Sequence, residues 1–217
     1  NLKRSVELVV GVGVTAAVDF ALLEQIASSP RDVIRVDDFN ALVRNLGRII
    51  DQVCFQPAPQ PVPVPPPAPV PIPGPAPQVC TSALDIALII DSSGSINEVT
   101  VNWPTVIDFL IRLVNQFDIG VDRVNIGAVQ FSDRENLEWT LDQYFDRDSM
   151  IQAIRRIRYL GGRTNLAGGL ELANTQIFNA RGDRPNVPNV ALVITDGLPN
   201  ERESETIPQA TNLKRSV

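Results

Sequence analysis

The residues best suited to chemistry are oxygen-bearing side chains in three separated stretches. Asp91-Ser92-Ser93-Gly94-Ser95 follows directly on the apolar run Leu84–Ile90. A carboxylate with two hydroxyls at two-residue spacing offers three hard oxygens on one turn. Such donors suit Mg²⁺, Mn²⁺ or Ca²⁺ rather than zinc or copper. Thr164 lies in Gly161-Gly162-Arg163-Thr164-Asn165, ahead of a predicted helix, and Asp196 follows the apolar run Val190–Thr195. Alone, either aspartate reads as a helix cap or turn former. Together, Asp91, Ser93, Ser95, Thr164 and Asp196 predict a divalent-cation site at the carboxyl ends of strands, where open α/β sheets bind ligands. The chain has no His and two Cys. His-based acid–base catalysis, Ser-His-Asp triads and four-Cys zinc sites are therefore excluded.

These residues need a scaffold, and the hydrophobic pattern supplies one. Residues 80–217 read as strand (Leu84–Ile90), helix (Val101–Phe117), strand (Val124–Phe131), alternating strand (Leu137–Leu141), helix (Ser149–Leu160), helix (Leu166–Phe178), strand (Val190–Thr195) and a short helix near Glu205–Leu213. Residues 1–54 read as strand (Val6–Val14), a helix capped by Asp19 with Phe20, Leu23 and Ile26 on one face, strand (Val33–Val36), and a helix started by Asp37 or Asp38. That last helix carries Phe39, Leu42, Leu46, Ile49 and Val53 on one stripe. Strands alternating with helices predict an α/β fold, a doubly wound, mostly parallel sheet covered on both faces.

Between these halves the composition changes. Twelve of the 18 Pro lie between Pro57 and Pro77, and residues 55–79 carry no charge. Such a stretch predicts an extended polyproline II spacer reaching roughly 75 Å. The last six residues, Asn212–Val217, repeat the first six, Asn1–Val6, at a period of 211. Exact recurrence reads as one period of a tandem array; a circular permutant or an engineered end is the other reading. On the array reading, residues 80–217 continue into a copy of residues 1–54 to make one fold. The net charge of −6 argues against nucleic acid. No stretch has the length of a membrane span.

Asp91-x-Ser93-x-Ser95, Thr164 and Asp196-Gly197 resemble the metal-ion-dependent adhesion site of von Willebrand factor A domains. On this resemblance residues 80–217 are the front two-thirds of such a domain and residues 1–54 its back third, with Val9–Gly13 and Val36–Phe39 as its late strand and last helix start. The resemblance implies a Rossmann-like sheet with one antiparallel edge strand. It implies a cation held near the hydroxyls of Ser93, Ser95 and Thr164, with Asp91 and Asp196 bound directly or through water. It also implies a carboxylate from a protein ligand at the open position. Neutral hydroxyls leave the cation under-neutralised, which makes an acidic partner attractive.

The resemblance further implies that Cys54 and Cys80, at the two ends of a domain, close it at its base, each pairing with the neighbouring repeat. In a single permuted domain they pair with each other instead. Either pairing points to an extracellular or cell-surface setting. Arg181-Gly182-Asp183 spells a tripeptide that many integrins read, although short motifs recur by chance. The expected function is that of an extracellular structural or adhesive protein. Metal-binding domains on Pro-rich tethers would bind other copies of the chain or an acidic protein ligand and assemble into filaments. A receptor-like adhesin for a matrix ligand is the alternative. A Mg²⁺-dependent hydrolase is disfavoured, because no phosphate loop and no general base beyond the ligands is present.

Overall fold

The structure is a computed structural model that describes residues 6–15, 17–54, 83–98 and 103–215. The spacer and Cys80 lie outside the described residues, as do the two copies of the repeated hexapeptide except Val6 and Asn212–Arg215. Among the described residues six strands form one sheet: β1 (Leu8–Val14), β2 (Val33–Val36), β3 (Leu84–Asp91), β4 (Val124–Phe131), β5 (Glu135–Trp139) and β6 (Asn189–Thr195). Their spatial order is β2-β1-β6-β3-β4-β5. All neighbours are parallel except β5, which runs antiparallel to β4 at one edge. This is the predicted doubly wound, mostly parallel α/β sheet. Strands β1, β3, β4 and β6 are buried throughout, so their sequences are continuous apolar runs rather than alternating ones.

Among the described residues eight α-helices cover the two faces: α1 (Phe20–Ile26), α2 (Phe39–Arg44), α3 (Leu46–Cys54), α4 (Ser95–Glu98), α5 (Trp103–Val114), α6 (Arg147–Ile154), α7 (Leu166–Gln176) and α8 (Glu203–Lys214). Helices α2, α3, α5 and α6 pack with the Ile86, Leu88 and Ile90 side of β3. Helices α1, α7 and α8 pack with the Ala87 and Ile89 side. Strand β1 lies beside β6, so the first described segment completes the sheet where the last strand leaves it. The join is tight: the Val6 amide donates to the Leu213 carbonyl at 3.2 Å. At the carboxyl end of α3, Cys54 is disulfide-bonded. Cys54 and Ala83 line one cavity of about 350 Å³ with Leu8, Leu84 and Val190, so the chain leaves and re-enters the fold at one place.

Several element boundaries differ from the sequence expectation, each for an identifiable reason. The single helix expected over 39–53 is two. Asn45 ends α2 with its side chain donating to the Ala41 carbonyl, and Asp38 rather than Asp37 is the cap. The helix expected over 149–160 stops at Ile154. Beyond it the carbonyls of Ile157 and Arg158 accept from Trp103 Nε1 and Gln130 Nε2, which replace the helical bonds. The edge strand expected at 137–141 is shifted two residues earlier. A bulge in the β4–β5 pairing leaves Leu137 exposed and Trp139 buried. The short α4 was not expected.

The two glycines of β1 have a packing role. A Cβ at Gly11 would sit 2.7 Å from Leu23 Cγ, and one at Gly13 would sit 2.5 Å from Phe20 Cε1. Their absence of side chain lets α1 lie directly on the sheet. Gly11→Val is therefore expected to destabilise the fold by about 1–3 kcal/mol through overpacking, read as a lower urea midpoint at unchanged slope.

Candidate metal centre

All five parallel strands point their carboxyl ends to one pole. There β3 ends in Asp91, and the chain then turns through Ser92–Ser95. Within that turn the Ser93 amide donates to Asp91 Oδ1 at 2.8 Å, an Asx turn that fixes the loop. Ser93 Oγ and Ser95 Oγ lie 3.2 Å apart. Ser95 Oγ donates to Asp196 Oδ1 at 2.7 Å, although 101 residues separate them. Thr164 is drawn to the same point. The Cβ position of Gly197 is 3.3 Å from Ser95 Oγ and 4.0 Å from Thr164 Oγ1. The structure thus brings together all five residues expected to form the site. Asp91, Ser93, Thr164 and Asp196 are buried, whereas Ser95 is half-buried toward the rim.

Supporting residues hold these oxygens in place, and the sequence reading did not single them out. Thr195 Oγ1 donates to Asp91 Oδ2 at 2.6 Å. Tyr159 Oη lies 3.2 Å from the carbonyls of both Ser93 and Gly94. Asn200 Oδ1 accepts the Thr164 amide at 2.8 Å. The Gly94 amide donates to the Gly162 carbonyl at 2.8 Å and the Gly161 amide to the Ser92 carbonyl at 2.9 Å, stapling the two loops. Gly162, at φ +88, leaves no room for a side chain because Asp133 lies 2.5 Å from its Cβ position. From the first segment, Thr15 at φ 78 donates its hydroxyl to the Asp196 carbonyl at 3.3 Å. A β-branched residue in that region is strained and is found where surrounding structure enforces it. Only Thr195 had a local signal, its place beside Asp196 at a strand end.

The donor set is two carboxylates and three hydroxyls, all hard oxygens. It fits a divalent cation of the Mg²⁺, Mn²⁺ or Ca²⁺ kind. With only two carboxylates it falls outside the usual acidic or His/Cys cluster; no group of three or more His, Cys, Asp or Glu gathers among the described residues. Burial pushes the Asp91 carboxyl above its ordinary value near 3.8, against the hydrogen bonds from Ser93 and Thr195 that favour the ionised form. A proton is thus held more tightly in the folded state than in the unfolded one. Without cation, the stability Asp91 contributes is full below about pH 3.8 and is lost as pH rises through the raised value. A cation that replaces this proton binds more tightly as pH rises over the same window. Urea midpoints measured across pH in EDTA and in Mg²⁺ are expected to diverge as pH increases.

The Arg181-Gly182-Asp183 tripeptide lies elsewhere. Gly182 packs against the backbone of Asp142, 2.8 Å from its own Cβ position, and Asp183 Oδ1 is shielded from solvent. The tripeptide is part of a packed turn rather than a displayed tip.

A doubly wound sheet with an oxygen-lined rim at the carboxyl end of its central strand defines a class of α/β binding domain. The chain belongs to the von Willebrand factor type A domain family, whose sequence profile matches residues 85–217. It is similar to mouse (Mus musculus) vitrin, 33% identical over 120 residues, covering 55% of this chain and 18% of vitrin. It is similar to the human (Homo sapiens) collagen alpha-6(VI) chain, 29% identical over 175 residues, covering 81% of this chain and 7% of that one. The chain thus spans under one-fifth of the length of these relatives. Among solved structures, proximal thread matrix protein 1 from the mussel byssus, described with a zinc-occupied MIDAS motif, shares the fold at TM-score 0.54 and 24% identity. The match covers 95% of this chain and 53% of that one. No helix among the described residues is long and apolar enough to cross a membrane.

Proposed function

We propose that this chain is one period of an extracellular structural or adhesive protein whose domains bind acidic protein partners through a divalent cation. The observation that carries this reading is the gathering of Asp91, Ser93, Ser95, Thr164 and Asp196 from three distant stretches at one rim, linked by the Ser95–Asp196 hydrogen bond. Asp91 and Asp196 supply the charge, and the three hydroxyls supply neutral oxygens. Two carboxylates formally balance the cation's charge, and five donors fall short of the six or more oxygens such cations take, so a carboxylate oxygen from the partner can complete the set. The cation's role is to bridge two proteins; the site holds no general base beyond these ligands, so we assign binding rather than turnover. Relatives bearing the names collagen and vitrin, and the byssus matrix protein of similar fold, support an extracellular, matrix-forming role.

The tandem arrangement is supported by the join between α8 and β1. By the 211-residue period, Val6 is the counterpart of Val217, which lies four residues after Leu213. The bond from the Val6 amide to the Leu213 carbonyl is therefore the i to i+4 bond that a continuous chain would make on leaving α8. In an array, each domain would join residues 83–217 of one repeat to residues 6–54 of the next, with residues 55–79 as tethers. Cys54 and Cys80 then close each domain at its base. The test is chelation. EDTA is expected to disperse native fibres or block adhesion, and Mg²⁺ to restore them. Assembly and adhesion indifferent to EDTA would contradict a cation-bridged role.

A further inference from the structure

The proposed cation-binding reading leaves the partner unspecified, and the distribution of exposed apolar side chains narrows it. Five large apolar residues are exposed among the described ones: Val121, Leu137, Phe145, Leu160 and Leu198. Two of them flank the metal centre. Leu160 precedes Gly161, whose amide is bonded to Ser92, and Leu198 follows Gly197, which faces the Ser95 and Thr164 hydroxyls. The most exposed of the five, Val121 at 58%, lies at the other pole, in the turn entering β4.

That turn is a presented tip. Asp122 follows Val121, is exposed, and makes no ion pair among the described residues. The tip is held rigid from below. The Arg123 amide donates to the Gly120 carbonyl at 3.0 Å, and Arg123 pairs with Asp118 at 2.6 Å. Arg184, anchored on the buried Asp85, donates to the Val121 carbonyl at 3.0 Å and to the Arg123 carbonyl at 2.7 Å. A backbone held in this way loses little freedom on docking, and an adjacent apolar side chain adds contact area.

We infer that the acidic partner is a second copy of this chain: Asp122 at the amino-end pole of one domain seats on the cation of the next, with Val121 against Leu160 and Leu198. The two surfaces are different and lie at opposite poles. The contact is therefore head-to-tail and does not close on itself, which generates a filament. The tether permits this stacking. The chain leaves and re-enters each domain at the pole that bears the tip, as the shared cavity of Cys54 and Ala83 requires. Stacked domains place these points one domain length apart. The 25 residues 55–79 would reach roughly 75 Å if extended as polyproline II, nearly three times the length of an eight-residue strand.

Analytical ultracentrifugation of the 217-residue chain tests this, with Mn²⁺ titration of each sample as an independent readout of the metal centre. The wild type is expected to self-associate in Mg²⁺, its mass rising with concentration, and to be monomeric in EDTA. Asp122→Asn is expected to bind Mn²⁺ like the wild type yet associate at least tenfold more weakly. Asp196→Ala keeps the tip but loses the cation. Mixed with Asp122→Asn, it is expected to give one-to-one dimers and no longer species. An Asp122→Asn chain that associates like the wild type, or a wild type that binds Mn²⁺ but stays monomeric, overturns the head-to-tail contact and leaves the cation site standing. Failure to bind Mn²⁺ at all overturns both.

Discussion

Arg184→Ala is expected to destabilise the fold by about 3–5 kcal/mol, because it strands a fully buried carboxylate. Asp85 has no exposed side-chain surface. Its Oδ1 accepts from Arg184 Nε at 2.8 Å and Nη2 at 2.6 Å, and its Oδ2 accepts from the Arg184 amide at 2.9 Å. The same guanidinium reaches the carbonyls of Leu84, Val121 and Arg123. One side chain thus ties the start of β3 to the turn before β4. In a domain of this size the loss corresponds to a melting temperature lower by roughly 10 °C. Asp85→Leu combined with Arg184→Met removes both charges and is expected to recover part of that loss, since an apolar pair leaves no charge unpaired. If Arg184→Ala melted within a degree or two of the wild type, the pair would be contributing little.

Asp196→Ala is expected to abolish stabilisation by divalent cations. A cation that binds only the folded state stabilises it by about 2.7 kcal/mol at one hundred times its dissociation constant, a shift of roughly 5–10 °C. Asp196 is one of only two carboxylates in the donor set and accepts the Ser95 hydroxyl directly. Removing it takes away half of the negative charge at the site. The variant is expected to melt at one temperature in EDTA and in Mg²⁺, whereas the wild type melts higher in Mg²⁺. Equal Mg²⁺-dependent shifts in both would place the cation elsewhere.

The five site oxygens were legible because each announces itself locally. Asp91 and Asp196 terminate apolar strands, Ser93 and Ser95 ride the turn after the first of these, and Thr164 follows a glycine pair. The buried strands were legible for a similar reason, because buried parallel strands are continuous apolar runs such as Leu84–Ile90, whereas their spatial order carries no such local mark. What was not legible depends on partners distant in sequence. The end of α6 at Ile154 is set by Trp103 and Gln130, whose side chains capture carbonyls that a longer helix would have used. Tyr159 and Thr15 brace the metal centre through backbone carbonyls, and no residue type or spacing marks such contacts. The Asp85–Arg184 pair spans 99 residues, and Asp85 lies within a strand that otherwise reads as apolar. Donor softness pointed away from zinc, the ion that occupies the MIDAS motif of the byssus protein.

The central claim is that oxygens from three stretches of the chain hold one divalent cation at the sheet rim. Titration of Mn²⁺ followed by electron paramagnetic resonance tests it directly, because the free ion's signal is lost on binding. One Mn²⁺ is expected to bind per wild-type chain, to be displaced by excess Mg²⁺ and to be absent from Asp196→Ala. A signal unchanged by the protein, or equal binding by the variant, would contradict it.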